Sequence, residues 1–132
     1  MEGMDPLAVL AESRLLPLLT VRGGEDLLGL ARVLEEEGVG ALEITLRTEK
    51  GLEALKALRK SGLLLGAGTV RSPKEAEAAL EAGAAFLVSP GLLEEVAALA
   101  QARGVPYLPG VLTPTEVERA LARVGLAGMG GQ

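Results

Sequence analysis

The sequence has 132 residues, a net charge of −5 and a hydrophobic fraction of 48%, which fits one domain with a buried core. The acidic balance argues against a nucleic-acid partner, no apolar run reaches membrane-spanning length, and the acids near the start argue against an export signal, so we expect a cytoplasmic protein. Cys and His are absent, which excludes disulfides, thiolate nucleophiles, imidazole bases and ordinary zinc sites; Asn is absent too, which favours a thermophilic source.

Helix-like and strand-like patterns alternate along the chain. A short helix is predicted to begin at Asp5-Pro6, ahead of the first strand. Apolar residues at helical spacing, as at Leu27, Leu30 and Leu34, predict a helix after that strand, and similar stripes recur further on. Strands are predicted at Leu15–Val21, Ala41–Leu46, Leu63–Gly68, Ala85–Val88 and Tyr107–Gly110.

Glycines and capping boxes mark the helix ends. Four helical stretches end at glycines 38, 62, 83 and 104, spaced 24, 21 and 21 residues apart, where we expect the left-handed conformation. Ser72-Pro73-Lys74-Glu75 and Thr113-Pro114-Thr115-Glu116 are capping boxes that begin helices. The repeat predicts an α/β fold with a parallel sheet: a partial (β/α) barrel over residues 1–124, followed by a glycine-rich tail, residues 125–132, that we expect to be disordered.

One acid stands apart from the rest. Glu43 lies inside the predicted second strand, whereas the other acids fall in or beside helices. Alternation along the strand places Glu43, Thr45 and Arg47 on the face opposite its leucines and isoleucine, which predicts that they point into the barrel. Desolvation there would raise the pKa of Glu43 toward the range useful for proton transfer. The alternative is a structural ion pair of Glu43 with Arg47 or Arg14.

Turn motifs follow the other predicted strands. Gly66-Ala67-Gly68-Thr69, Ser89-Pro90-Gly91 and Pro109-Gly110 each stand at a strand's C-terminal end, where barrel active sites lie. The two glycines of the first motif could let a ligand approach the backbone, although each motif could also be a plain turn. Arg14, Arg22 and Arg47 could offer positive charge to an anionic substrate.

The motifs LEITLRT, GAGTV, SPG and LPG, in this order and spacing, resemble the 2-keto-3-deoxy-6-phosphogluconate (KDPG) and 4-hydroxy-2-oxoglutarate (KHG) aldolase family, over about residues 6–124. The resemblance implies a (β/α)8 TIM barrel, of which this chain holds the first five βα units and an N-terminal helix. It implies a class I aldolase, a lyase that is usually a homotrimer, needs no metal or other cofactor, and splits a 2-keto-4-hydroxy acid into pyruvate and an aldehyde.

The resemblance also implies roles for individual residues. Glu43 would be the general acid/base, Arg47 would bind the substrate carboxylate, Thr69 would line the pyruvate pocket and Pro90 would shape its wall. The family's Schiff-base lysine lies on a sixth strand, and nothing here matches that stretch. The lysines of this chain, all in helix-like segments, are Lys50, Lys56, Lys60 and Lys74. We therefore expect no turnover from these residues alone.

Two other functions stay open from the residues themselves. The chain could belong to a different phosphate-binding barrel enzyme, since the fold alone does not fix the function. It could also be a non-catalytic fragment that self-associates, because an open sheet of five strands leaves two strand edges unpaired.

Overall fold

Five parallel strands lie side by side in the order in which they occur along the chain. A computed structural model describes residues 16–110. Its strands are β1 (Leu18–Leu19), β2 (Ala41–Thr45), β3 (Leu64–Gly68), β4 (Phe86–Ser89) and β5 (Tyr107–Pro109). Its helices are α1 (Leu27–Glu36), α2 (Lys50–Leu58), α3 (Pro73–Ala82) and α4 (Glu94–Arg103). The N-terminal helix, the second capping box and the glycine-rich tail that the sequence predicts lie outside the described residues.

The two faces of the sheet pack differently. On the outer face, strand residues such as Leu42, Ile44 and Leu65 join buried residues from all four helices in one apolar cluster. On the inner face a second cluster contains strand residues only, among them Leu64, Phe86 and Leu108. Helices on a single face and neighbours in strict chain order are the arrangement of a (β/α) barrel wall, as the repeat predicts.

All five strands differ from their predicted bounds, β2 to β5 by a single residue at one or both ends and β1 by more. Within the described residues β1 begins at Leu18, because Pro17 has no N–H to donate to a ladder, and it ends at Leu19; the Pro17 carbonyl accepts from the Glu43 amide at 2.9 Å. β2 ends at Thr45 rather than Leu46. The chain bends over residues 46–48, so the alternation that orients Glu43 does not extend to Arg47.

The helix ends follow the predicted rules in part. Ser72 caps α3 by accepting from the Glu75 amide, as predicted, but the Glu75 carboxylate accepts from the Arg71 amide rather than from Ser72. The glycines at 38, 83 and 104 have positive φ, as expected. The prediction is wrong at Gly62, where the φ is not positive: α2 already ends at Leu58, and the Gly62 amide donates to the Glu35 carboxylate across to α1.

No helix within residues 16–110 has the length and apolarity that a membrane crossing requires.

Candidate active site

Glu43 lies on the inner face of the sheet, at the middle of β2. It pairs in register with Leu18 of β1 and Gly66 of β3. Its carboxylate oxygen Oε2 occupies the space where a side chain of Gly68 would begin. The structure thus confirms the inward orientation that the alternating pattern predicts for Glu43.

Burial is what sets the protonation of Glu43. Loss of solvent around the carboxyl group raises the pKa of Glu43 from 4.5 to about 7. The ion pairs among residues 16–110 involve Lys50, Arg71 and Arg103, and none includes Glu43. The alternative of a structural ion pair between Glu43 and Arg47 is therefore wrong. Arg14, the other proposed partner of Glu43, lies outside the described residues. Near neutral pH this acid can both donate and accept a proton.

Two hydroxyl groups lie nearer the C-terminal edge of the same strands. Thr45, which is fully buried, has its Oγ1 3.0 Å from Oγ1 of Thr20. Thr45 follows Glu43 on the inner face and pairs in register with Gly68. Arg47 follows in the bend after β2 and is exposed, so its guanidinium remains available to an anion at this edge.

Thr69 has an unusual backbone conformation directly after β3. Its φ of 56° makes it the only residue other than glycine with positive φ in the described range. A β-branched residue is rare in this region, and such a conformation persists only when its surroundings impose it. Here both backbone groups of the next residue are hydrogen-bonded: the Val70 amide donates to the Val88 carbonyl at 3.0 Å, and the Ser89 hydroxyl donates to the Val70 carbonyl at 2.8 Å.

Pro90 begins the loop between β4 and α4, and β5 holds that loop in place. The Tyr107 hydroxyl accepts from the Leu93 amide at 3.0 Å and donates to the Gly91 carbonyl at 3.3 Å. The Gly110 amide donates to the Ser89 carbonyl at 2.7 Å. Pro90 is therefore an exposed residue at the C-terminal edge of the sheet, in a loop whose backbone is held by hydrogen bonds from Tyr107.

The loop between β1 and α1 is held by hydrogen bonds from its own backbone amides. The amides of Arg22 and Gly23 both donate to the Glu25 carboxylate at 2.8 Å, and the bond from Arg22, above all, holds the pKa of Glu25 below its ordinary value. The exposed side chain of Lys50 passes close to Gly23, so Arg22 and Lys50 add positive charge to the same edge as Arg47. Arg14 lies outside the described residues.

The sequence motifs did not single out three residues that build this site: Thr20, Phe86 and Tyr107. The ring of Phe86 fills the space above Gly66. The prediction that Gly66 and Gly68 leave the backbone open to a ligand is therefore wrong on the inner face, because Phe86 and Glu43 occupy that space. One cue was available: the chain has a single Phe and a single Tyr, and both lie beside the site.

The arrangement joins an acid that can be neutral near pH 7, the paired hydroxyls of Thr20 and Thr45, and exposed cations toward one edge of the sheet. Such a set suits proton transfer on an anionic organic substrate. Among residues 16–110 no cluster of acids could hold a metal ion.

The comparisons with known sequences agree with one another. The family model described as "KDPG and KHG aldolase" matches residues 7–129. The 2-dehydro-3-deoxy-phosphogluconate aldolase of Treponema pallidum is 44% identical over 110 residues, 82% of this chain and 52% of its own length. The KHG/KDPG aldolase of Escherichia coli is 36% identical over 112 residues, 83% of this chain and 53% of its own. The chain thus spans about half the length of these relatives.

Solved structures give the same result. A KDPG aldolase from Zymomonas mobilis is 30% identical with a TM-score of 0.75, covering 98% of this chain and 72% of its own. A KDPG aldolase from Legionella pneumophila, solved with pyruvate captured as a covalent carbinolamine, is 36% identical with a TM-score of 0.71, covering 90% and 59%. These matches confirm the family and the barrel fold that the motifs predict.

Proposed function

The chain belongs to the KDPG and KHG aldolase family, and from this premise we propose that it carries the acid/base half of a class I aldolase site. The reaction is the cleavage of 2-keto-3-deoxy-6-phosphogluconate or 4-hydroxy-2-oxoglutarate, through a Schiff base, into pyruvate and glyceraldehyde 3-phosphate or glyoxylate. The carbinolamine trapped in the Legionella relative supports a covalent amine mechanism for this family. The alternative of an unrelated phosphate-binding barrel enzyme is set aside by the family match.

The observation that carries the proposal is the partly buried carboxyl group of Glu43 on the inner face of the sheet. A group with a pKa of about 7 is present in both forms near neutral pH, which is what a shuttle that alternately gives and takes protons requires. In the proposed mechanism Glu43 protonates the departing hydroxyl of the carbinolamine. The resulting carboxylate then accepts the proton of the C4 hydroxyl as the C3–C4 bond breaks.

The remaining roles follow the family resemblance. Arg47, exposed just beyond β2, is proposed to bind the substrate carboxylate, and Arg14 to add positive charge to the same site. Thr69 is proposed to line the pyruvate pocket, and Pro90 to form part of its wall. The fixed backbone around Thr69 and Pro90 supports these two roles, because a pocket wall must hold its shape.

The amine is proposed to come from outside this sequence. All four lysines lie on or next to helices and all are exposed, at Lys50, Lys56, Lys60 and Lys74. A lysine that attacks a ketone near neutral pH must be desolvated to lose its proton, and these four are not. We therefore expect the 132-residue chain to give no retro-aldol turnover and no stoichiometric adduct when pyruvate and borohydride are added.

A hybrid protein tests the proposal directly. Residues 1–110 of this chain would be followed by the remaining C-terminal part of the Treponema relative, which is 44% identical over the shared region. We expect the hybrid to release pyruvate from KDPG or KHG, and Glu43→Gln to lower its kcat by about 10²–10⁴-fold. The matched control is Glu36→Gln, an exposed acid on α1. A folded hybrid that forms the borohydride adduct but is indifferent to Glu43→Gln would contradict the role of Glu43.

The assembly and location belong to the same proposal. A homotrimer is what the resemblance implies, and the composition of the sequence predicts a cytoplasmic location. Within residues 16–110 β1 and β5 each pair with one neighbour only, which favours association of the 132-residue chain. Sedimentation of the purified chain at a clean monomer mass would contradict this.

A further inference from the structure

On its inner face β3 has two glycines, and large side chains of the neighbouring strands lie over both of them. Gly66 and Gly68 occupy successive inner-face positions of β3, two residues apart. A methyl group on Gly66 would overlap the ring of Phe86, which reaches across from β4. A methyl group on Gly68 would overlap Oε2 of Glu43 and lie 2.9 Å from its Cδ and 3.1 Å from its Cγ. Each glycine therefore admits one side chain from a different neighbouring strand.

The register shows that Glu43 does not extend straight across to its own partner. Glu43 pairs with Gly66, yet its carboxylate lies over Gly68. Phe86 also pairs with Gly66, and its ring, which is fully buried, lies over that residue. The ring fills the position directly opposite Glu43, so the carboxylate leans two residues along β3, toward the C-terminal edge where Thr69 and Arg47 lie.

We propose that Gly68 is a positioning residue for Glu43: its missing side chain provides the space that holds the carboxylate at the C-terminal edge of the sheet, while Phe86 over Gly66 closes the other direction. The catalytic consequence rests on the proposed function of Glu43. The placement itself does not, because it follows from contacts between described residues.

The test is the titration of Glu43 in Gly68→Ala. The added methyl group meets the far end of a flexible side chain, so the carboxylate is the group expected to move. In the 132-residue chain with ¹³C-labelled glutamate, with the Glu43 resonance assigned by its loss in Glu43→Gln, we expect its titration midpoint to fall by about one pH unit as the carboxylate gains solvent. In the hybrid, a displacement of this kind is expected to lower kcat about 10²-fold.

Gly62→Ala is the matched control. It also places a methyl group against a glutamate, 3.1 Å from Oε1 of Glu35, but at an exposed turn. We expect it to leave the Glu43 midpoint unchanged. A folded Gly68→Ala protein with an unchanged midpoint would overturn the proposal.

A double variant covers the case in which Gly68→Ala does not fold. With Glu43→Ala in the background, the methyl group at residue 68 has the vacated space, and the cost of Gly68→Ala in urea unfolding is expected to disappear. If the double variant is as unstable as Gly68→Ala alone, the methyl group meets something other than Glu43 and the proposal fails. A shifted midpoint beside a hybrid without any turnover would instead reject the proposed function and leave the positioning role of Gly68 intact.

Discussion

The two faces of the sheet belong to the same strands but differ in the side chains that they present. The outer face is a continuous apolar layer in which leucines and alanines of strands and helices are almost all inaccessible to solvent. The inner face has fewer apolar residues, two bare glycines and a partly buried acid. Alternating side chains along each strand place the apolar packing on one face and the candidate site on the other.

The difference shows which face of the sheet opposes folding and which face stabilises it. Burying Glu43 without a partner among residues 16–110 opposes folding, and Thr69 adds backbone strain. The outer face offsets both through aliphatic burial. Substitutions on the two faces should therefore differ in size, in sign and in pH dependence.

The largest effect on stability is expected on the outer face. Leu55 of α2 is completely buried against the sheet, so Leu55→Ala should lower the free energy of unfolding by about 2–5 kcal/mol through lost burial and the cavity left behind. Urea unfolding should give the same loss at pH 5 and pH 8, because no titrating group is involved. Leu28→Ala on α1, 61% exposed, is the control and should stay within about 0.5 kcal/mol of the parent. Equal costs at both positions would mean that the outer face is not the tightly packed apolar layer on which the comparison depends.

The next effect is on the inner face and has the opposite sign. The folded protein keeps Glu43 protonated up to about pH 7, whereas the unfolded chain loses that proton near pH 4.5. Between these values the folded state binds more protons, so stability falls as the pH rises through this window. Glu43→Gln removes the dependence. Relative to the parent it should gain up to about 3 kcal/mol between pH 4 and pH 8.

Urea unfolding at pH 4, 6 and 8 measures that gain. The exposed acid Glu36 provides the control, and Glu36→Gln should show no growing advantage over the same range. A Glu43→Gln protein that loses stability equally at all three pH values would mean that the carboxylate is solvated or paired in the folded chain.

Sequence patterns predicted what depends on neighbours along the chain. The alternation in β2 sufficed to orient Glu43, because a strand with helices on one side must turn its polar side chains to the other. The cap at Ser72 followed from side-chain and amide positions three residues apart. The βα repeat predicted a partial barrel, and the resemblance of the motifs to a known family supplied the complete eight-unit barrel, since five units do not by themselves fix how a sheet closes.

Contacts between distant segments account for the failures. The sequence predicts a left-handed conformation at Gly62. In the structure α2 ends earlier, at Leu58, and the Gly62 amide donates a hydrogen bond to the carboxylate of Glu35 on α1, 27 residues away. The motif that contains Gly66 and Gly68 is compatible with an opening for a ligand or with a plain turn, whereas in the structure side chains of β2 and β4 fill the space above both glycines. The sequence predicts that Tyr107 lies in a strand but gives it no further role. Its hydroxyl bonds to a loop 14 and 16 residues earlier in the chain, which a local pattern does not show. No local pattern reports such pairings.

The smallest effect on stability is expected at Thr69, where a substitution changes backbone strain rather than packing. A β-branched residue at φ 56° costs about 1–3 kcal/mol, and glycine adopts this conformation freely. Thr69→Gly therefore relieves strain but makes the unfolded chain more flexible, which costs roughly 0.5–1 kcal/mol, so the net gain in urea unfolding should be about 1 kcal/mol. Ala57→Gly on the exposed side of α2 is the control for that flexibility and should lose about 1 kcal/mol.

If the Thr69 side chain is retained for the pocket, the same Thr69→Gly change should weaken the hybrid while stabilising the fold. We expect a raised KM for the keto acid together with the higher urea midpoint, the combination that distinguishes a strained functional residue from an ordinary turn. A Thr69→Gly protein that loses as much stability as Ala57→Gly would show that the surroundings impose no strain at this position. The inner face would then differ from the outer one through Glu43 alone.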